Sequence, residues 1–328
     1  MTRTTRPLVA RPLVVVVVAL VALGALGACT RRDDGLGVFA GGFDPTRYDG
    51  GVLPDAKLDR PLRFDVPPFY ADKIAEGAAR DLTKYLEDET HLQIALQSPA
   101  AYDYAAISDG LAKGDVDVAE LSPYQYALVE QRGIAIVPLV ASVAHGASSY
   151  GSYLVVRQGS AIHSIDDIKG RSIAFVDPLS TSGYLLPALF LQQHGIDLAK
   201  DVHVRFAGSH PAALELVKSG AVDVAAVSSD LLIGNAGLAG PLVVIAKAGR
   251  MPYDVIVARG DLDAATTALV KRALLRLSIH DERGRAALRA FSSVDGFMPI
   301  PPGHYDGVRA LAKRARDVAL STSAGQKP

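Results

Sequence analysis

The segment Ile173-Ala-Phe-Val-Asp-Pro-Leu-Ser-Thr-Ser-Gly-Tyr-Leu-Leu-Pro187 carries three consecutive hydroxyl side chains, Ser180, Thr181 and Ser182, followed by Gly183 and an apolar run. A buried strand pattern ends at Asp177-Pro178, and the hydroxyls open a helical one. A helix start presents backbone N–H groups that have no intrahelical acceptor, together with the positive end of the helix dipole. Hydroxyls gathered there make a site for an anion, and a tetrahedral oxyanion of phosphate size suits it. On spacing alone a plainer reading stands beside it, in which one hydroxyl caps the helix and the others are loop residues.

Clustered hydroxyls can also serve hydrolysis, with Ser182 as nucleophile and His210 as base in a lipid-anchored envelope hydrolase. The usual spacings for such chemistry are missing. The chain has no Ser-x-x-Lys, no Gly-x-Ser-x-Gly and no phosphate-binding Gly-x-x-x-x-Gly-Lys-[Ser/Thr] loop, and none of its eight histidines is followed by glutamate. Its one cysteine excludes a disulfide framework and any zinc site built on several thiolates. No catalytic set, metal or cofactor is therefore expected.

From Pro61 onward short apolar runs of β type alternate with helical periods, which predicts an α/β fold of two lobes, each a mainly parallel sheet flanked by helices. Strands are expected near Leu62–Val66, Leu92–Gln97, Val116–Leu121, Ser172–Val176, Val202–Phe206 and Val222–Val227. Apolar runs at Gly151–Arg157 and Leu242–Ala248 flank the middle section, so the chain crosses into a second lobe and returns. The expected division is residues 61–150 plus 250–328 for lobe 1 and 151–249 for lobe 2. An internal echo supports it: Lys113-Gly-Asp-Val-Asp117-Val-Ala resembles Lys218-Ser-Gly-Ala-Val-Asp223-Val-Ala. The same separation takes Tyr104 to His210, Ser122 to Ser228 and Tyr124 to Asp230. Ligands of open α/β sheets bind beyond the carboxyl ends of the strands, so these residues would line an interlobe cleft.

The N-terminus reads as an export leader over residues 1–28. Arg3, Arg6 and Arg11 precede an apolar run from Leu13 to Leu26 that is shorter than the ~20 residues of a spanning helix. Leu26-Gly-Ala-Cys29 resembles the bacterial lipobox, which implies acylation of Cys29 and a lipid-anchored protein on the outer side of the cell membrane. Residues 29–60, rich in Gly, Asp, Arg and Pro, are expected to be a flexible tether. With 34 basic and 35 acidic residues and a net charge of −1, there is no basic excess for nucleic acid.

Ser180-Thr181-Ser182-Gly183 with Leu185 and Pro187, then Gly208-Ser209-His210, then Val222-Asp223-Val224-Ala225, resembles the substrate-binding proteins of phosphonate-type ABC transporters. Asp103-Tyr104 and Lys113-Gly114-Asp115-Val116-Asp117 resemble the same family in the first lobe. The resemblance implies a two-lobed type II periplasmic-binding-protein fold with a hinge. It also implies a phosphonate, phosphite or phosphate ligand and a membrane permease as partner. Ser180, Thr181, Ser182 and His210 would donate to the phosphoryl oxygens, and Tyr104 would close over them. Asp230 and Asp254 fall where members that take aminoalkylphosphonates hold the ammonium end. Leu121 departs from the aromatic or polar residue expected after the third strand; Ser122, Tyr124 and Tyr70 are its substitutes. The same fold with a sulfonate ligand is the alternative.

Overall fold

The computed structural model describes residues 58–66, 75–97, 104–233, 241–291 and 293–324. The expected leader, Cys29, nearly all of the tether and Tyr70 lie outside them. No helix among the described residues is long and apolar enough to cross a membrane.

Parallel strands must be joined by crossovers, and the alternation of β and helical periods supplies them. In the first sheet β1 (Leu62–Asp65), α1 (Glu76–Thr90), β2 (Ile94–Gln97), α2 (Tyr104–Lys113) and β3 (Val118–Leu121) follow in sequence. They pair as β2-β1-β3, all parallel. Helix α3 (Pro123–Gln131) leads to β4 (Ile136–Ala144), and the chain then crosses to the second sheet. There β5 (Ser149–Arg157) precedes β6 (Ser172–Phe175), α4 (Leu186–Gln193), β7 (His203–Phe206), α5 (His210–Ser219), β8 (Val224–Ser228), α6 (Ser229–Ile233) and β9 (Leu242–Pro252). The chain returns through β10 (Val255–Arg259), α7 (Ala264–Arg276), α8 (Glu282–Leu288), β11 (Val294–Met298) and α9 (Asp306–Ala324).

The sheet orders are β11-β4-β10-β3-β1-β2 and β7-β6-β8-β5-β9. Each has a parallel trio with an antiparallel strand beside its third member, β10 in one and β5 in the other. Both sheets are thus mixed, with antiparallel β10, β4 and β11 completing the first and β5 and β9 the second. Strands buried on both faces read as apolar runs whichever way they point, so sequence pattern does not tell their direction.

The internal echo has a structural cause. Asp117, just before β3, accepts a hydrogen bond from the Arg63 backbone N–H of β1 at 2.9 Å. Asp223, just before β8, accepts one from the Ser172 N–H of β6 at 2.9 Å. Each aspartate ties the entry of a third strand to the start of the first. Asp117 is also held by Arg60 at 2.5 and 2.7 Å and by Arg63 at 3.1 Å. Burial pushes its carboxyl up, but these bonds overcome it and hold it far below the usual range.

The first sheet is buried on both faces. Leu62, Phe64, Val118 and Ile256 pack on one side with α1, α7 and α8, and Ala119, Leu121, Val255 and Val257 pack on the other with α2 and α3. A third cluster joins the two halves. It takes Tyr124 and Ala127 from α3, Leu186 and Leu189 from α4, and Val308 and Ala312 from α9. The two crossings run side by side, with the Tyr253 N–H donating to the Ser148 carbonyl at 3.2 Å and the rings of Tyr150 and Tyr253 stacked at 4.8 Å.

Candidate functional site

The Ser180–Ser182 element follows β6 in the second sheet. Asp177 turns the chain by accepting from the Leu179 N–H at 2.8 Å. The helix then opens with a π-helical turn, Thr181–Leu185, in which the Leu185 N–H reaches the Ser180 carbonyl at 3.0 Å. The helical pattern alone predicts an ordinary α start; the wider turn is a difference. Gly183 permits it, because a Cβ there would run into Val176 and the Ser180 hydroxyl.

All three hydroxyls are buried. Ser180 Oγ caps the turn by accepting from the Gly183 N–H at 3.0 Å. Thr181 Oγ1 accepts from the Tyr124 backbone N–H of the first half at 2.8 Å. An accepting hydroxyl keeps its own O–H to donate, so these bonds leave Ser180 and Thr181 able to act as donors as well. Ser182 Oγ lies 3.5 Å from His210 Nε2, and its carbonyl accepts from Ser152 Oγ at 2.7 Å.

His210 opens α5, where Ser209 caps the helix. Its Nδ1 accepts from the Ser228 N–H at 3.2 Å. Nδ1 therefore carries a lone pair, and the proton of the neutral ring sits on Nε2, facing Ser182. Burial lowers the imidazole to about 3. His210 is thus a neutral imidazole whose Nε2–H faces Ser182. The same tautomer removes it as a base for Ser182, since Nε2 already holds its proton and a backbone amide stands where a triad carboxylate would be.

Across the junction, Ser122 caps α3 by accepting from the Gln125 N–H at 3.2 Å and donates to the Leu179 carbonyl at 3.0 Å. Tyr124 provides the bond to Thr181. These two bonds join the carboxyl end of β3 to the loop after β6, where open sheets hold ligands. Tyr104, 2% exposed, begins α2, and its carbonyl accepts from Gln125 Nε2 at 2.7 Å, which sets α2 against α3. Leu121 is buried in the first core and does not line the junction.

Asp230 lies in the first turn of α6, where Ser228 Oγ accepts from its N–H at 3.2 Å and Ser229 Oγ donates to its Oδ1 at 3.2 Å. Ser228, not Asp230, is the cap. Asp230 Oδ2 is buried without a hydrogen-bond partner, and burial raises the carboxyl. Asp254 is half-buried and lies near Asp230, and burial followed by that neighbour lifts its carboxyl to about 8. Sequence reasoning missed Glu120 on β3, 1% exposed and beside Asp254. An acidic residue inside an otherwise apolar strand was the available signal. The groove lined by Tyr184, Leu189, Gln192, Ile196 and Ala315 contains none of these candidate groups.

Residues 64–305 match the family model of the ABC transporter, phosphonate, periplasmic substrate-binding protein. The chain is 26% identical over 306 residues to the phosphate-import protein PhnD of Mycolicibacterium smegmatis, covering 86% of this chain and 89% of that one. It is 35% identical over 196 residues to a probable ABC transporter phosphite binding protein, PhnD1, of Prochlorococcus marinus, over 56% of this chain and 59% of the relative. The solved structure of PhnD1 from Prochlorococcus marinus, in complex with methylphosphonate, superimposes with a TM-score of 0.68 at 20% identity, covering 78% of this chain and 98% of that one. The fold is the type II periplasmic-binding-protein fold expected from the motifs, and the relatives are import and binding proteins. The chain belongs to the phosphonate-type periplasmic substrate-binding proteins of ABC transporters.

Proposed function

We propose that this protein is the lipid-anchored receptor of an ABC importer, capturing a phosphonate, phosphite or phosphate oxyanion between its lobes and presenting it to a permease. Cys29 carries the anchor, residues 61–150 plus 250–328 form one lobe, and 151–249 form the other. The observation that supports this most is the meeting of Ser182 Oγ with the protonated Nε2 of His210 at a buried helix start. A phosphoryl group placed there takes bonds from Ser180, Thr181, Ser182, His210 and the first-turn N–H groups. Ser122, Tyr124 and Tyr104 close the site from the first lobe.

No arginine or lysine is among these residues. Affinity then rests on hydrogen bonds to a charged acceptor in a site without water, each worth roughly 1.5–3 kcal/mol. Binding that bridges two lobes favours the closed arrangement by its differential affinity. Asp230 and Asp254 form a second subsite for the ammonium end of an aminoalkylphosphonate.

Calorimetry of the purified chain with phosphite, phosphate, methylphosphonate, 2-aminoethylphosphonate and sulfate in one buffer tests the reading. Saturable binding of a phosphorus oxyanion with sulfate excluded is the expected result. A sulfur oxyanion in first place moves the ligand to sulfonates, and turnover of an ester substrate contradicts the receptor.

A further inference from the structure

Glu120 is a buried carboxyl that the anion site does not use. It lies on β3 with Oε2 lacking any hydrogen bond. The register pairs Ile256 with Glu120 and Val255 with Leu121. Side chains alternate along a strand, so Asp254, the residue just before β10, falls on the face of Glu120, one diagonal step away. Ser142 of β4 is on that face too; its N–H donates to the Asp254 carbonyl at 2.9 Å, and its hydroxyl lies against Glu120.

The other titratable neighbours bring no positive charge to this pair. Asp230 faces Asp254 from α6, and Tyr253 precedes it in the link between β9 and β10. The Tyr305 hydroxyl donates to the Tyr253 and Asp254 carbonyls at 3.0 and 3.3 Å, so its proton is already engaged. His145 and Arg250 act on Asp230, Arg250 also on Tyr253, and Arg309 on Tyr305. Two ionised carboxylates in such surroundings repel and lose hydration. Burial accordingly raises both, Glu120 well above the usual carboxylate range.

We propose that Glu120 is a positioning residue behind the amine subsite: an uncharged carboxylic acid that keeps its proton and donates a hydrogen bond to Asp254 once a ligand ammonium ionises Asp254. This rests on the reading of Asp230 and Asp254 as that subsite. The proton balance is explicit. Asp254 gives its proton to solvent, the ligand ammonium keeps its own, and the Glu120 O–H turns to the new carboxylate without transferring. The complex then holds fewer protons than the free protein. Its affinity for an amine-bearing ligand therefore rises with pH up to about 8, where free Asp254 is itself ionised.

Calorimetry of the full chain with 2-aminoethylphosphonate near pH 7, in two buffers of different protonation enthalpy, counts the protons released. Comparing variants on one ligand cancels the exchange of the ligand's own groups. Glu120→Gln keeps a donor in place and is expected to match the unmodified protein within about threefold, with the same proton release. Glu120→Leu removes the donor and is expected to weaken this ligand about tenfold and to shift its pH profile upward, leaving methylphosphonate affinity unchanged. A Leu variant that binds like the unmodified protein overturns the proposal, as does a Gln variant that loses as much as Leu. If the Leu variant fails to fold, the Gln variant and the proton count still decide, since unmodified protein with no amine-dependent proton release contradicts the proposal. Failure of methylphosphonate itself to bind would instead sink the receptor reading.

Discussion

In the proposed anion site Ser182 and His210 have different roles, which their side chains dictate. The hydroxyl rotates to find an acceptor, whereas the imidazole is locked by the Ser228 N–H on its Nδ1. Replacing Ser182 with alanine removes one donor to a charged acceptor, and we expect at least about tenfold weaker phosphonate binding in calorimetry, roughly 1.4 kcal/mol. An unchanged constant would take Ser182 out of the site. His210 makes a pH prediction of definite sign. Its folded-state value, about 3, lies below the ~6.5 of an exposed imidazole. The stability it contributes is therefore complete above about pH 6.5 and is lost as pH falls toward 3. Its ring resonances in NMR should not titrate between pH 8 and 5; a midpoint near 6.5 would show an exposed, charge-changing residue.

Elements position these groups through a few local devices. The π-helical turn at Thr181–Leu185 depends on the missing Cβ of Gly183, because Val176 and the Ser180 hydroxyl occupy the space a methyl would need. Gly183→Ala should destabilise the fold by about 1–3 kcal/mol, measured by urea titration, and weaken ligand binding with it. Little change in either would mean that the turn relaxes freely. The strands of the two parallel trios were legible because their apolar runs are short, and their expected ends fall within about two residues of the observed ones; β9 runs four residues past its expected end at Ala248, and β4, β10 and β11 were not anticipated. The turn was not, since helical periodicity is the same whether the first carbonyl is reached by the fourth or the fifth N–H. The tautomer of His210 was equally hidden, as it depends on a backbone group 18 residues away. Glu120 escaped notice because β3 pairs with β10, and only that pairing places it beside Asp254.

At the scale of the molecule, the chain uses one αβ plan twice, with Asp117 and Asp223 performing the same backbone tie. Sequence similarity between the two stretches was enough to reveal that plan, because the tie needs an aspartate at one register position. The antiparallel completion of each sheet was not legible, as buried strands carry no mark of direction. Two crossings join the sheets, and two hydrogen bonds, from Ser122 to Leu179 and from Tyr124 to Thr181, span the junction. Thr181→Val removes the acceptor in the second of these. Small-angle scattering should show the radius of gyration falling when methylphosphonate is added, and falling less in this variant. Equal contraction in both would show that closure does not need this bond.

In the proposed function, Ser182 and His210 receive the phosphoryl group. A crystal structure of the protein grown with methylphosphonate tests it most directly. Phosphoryl oxygens are expected within hydrogen-bond distance of Ser182 Oγ and His210 Nε2, at the start of the helix that Ser180 caps. Methylphosphonate bound elsewhere, with Ser182 and His210 contacting only each other, would contradict it.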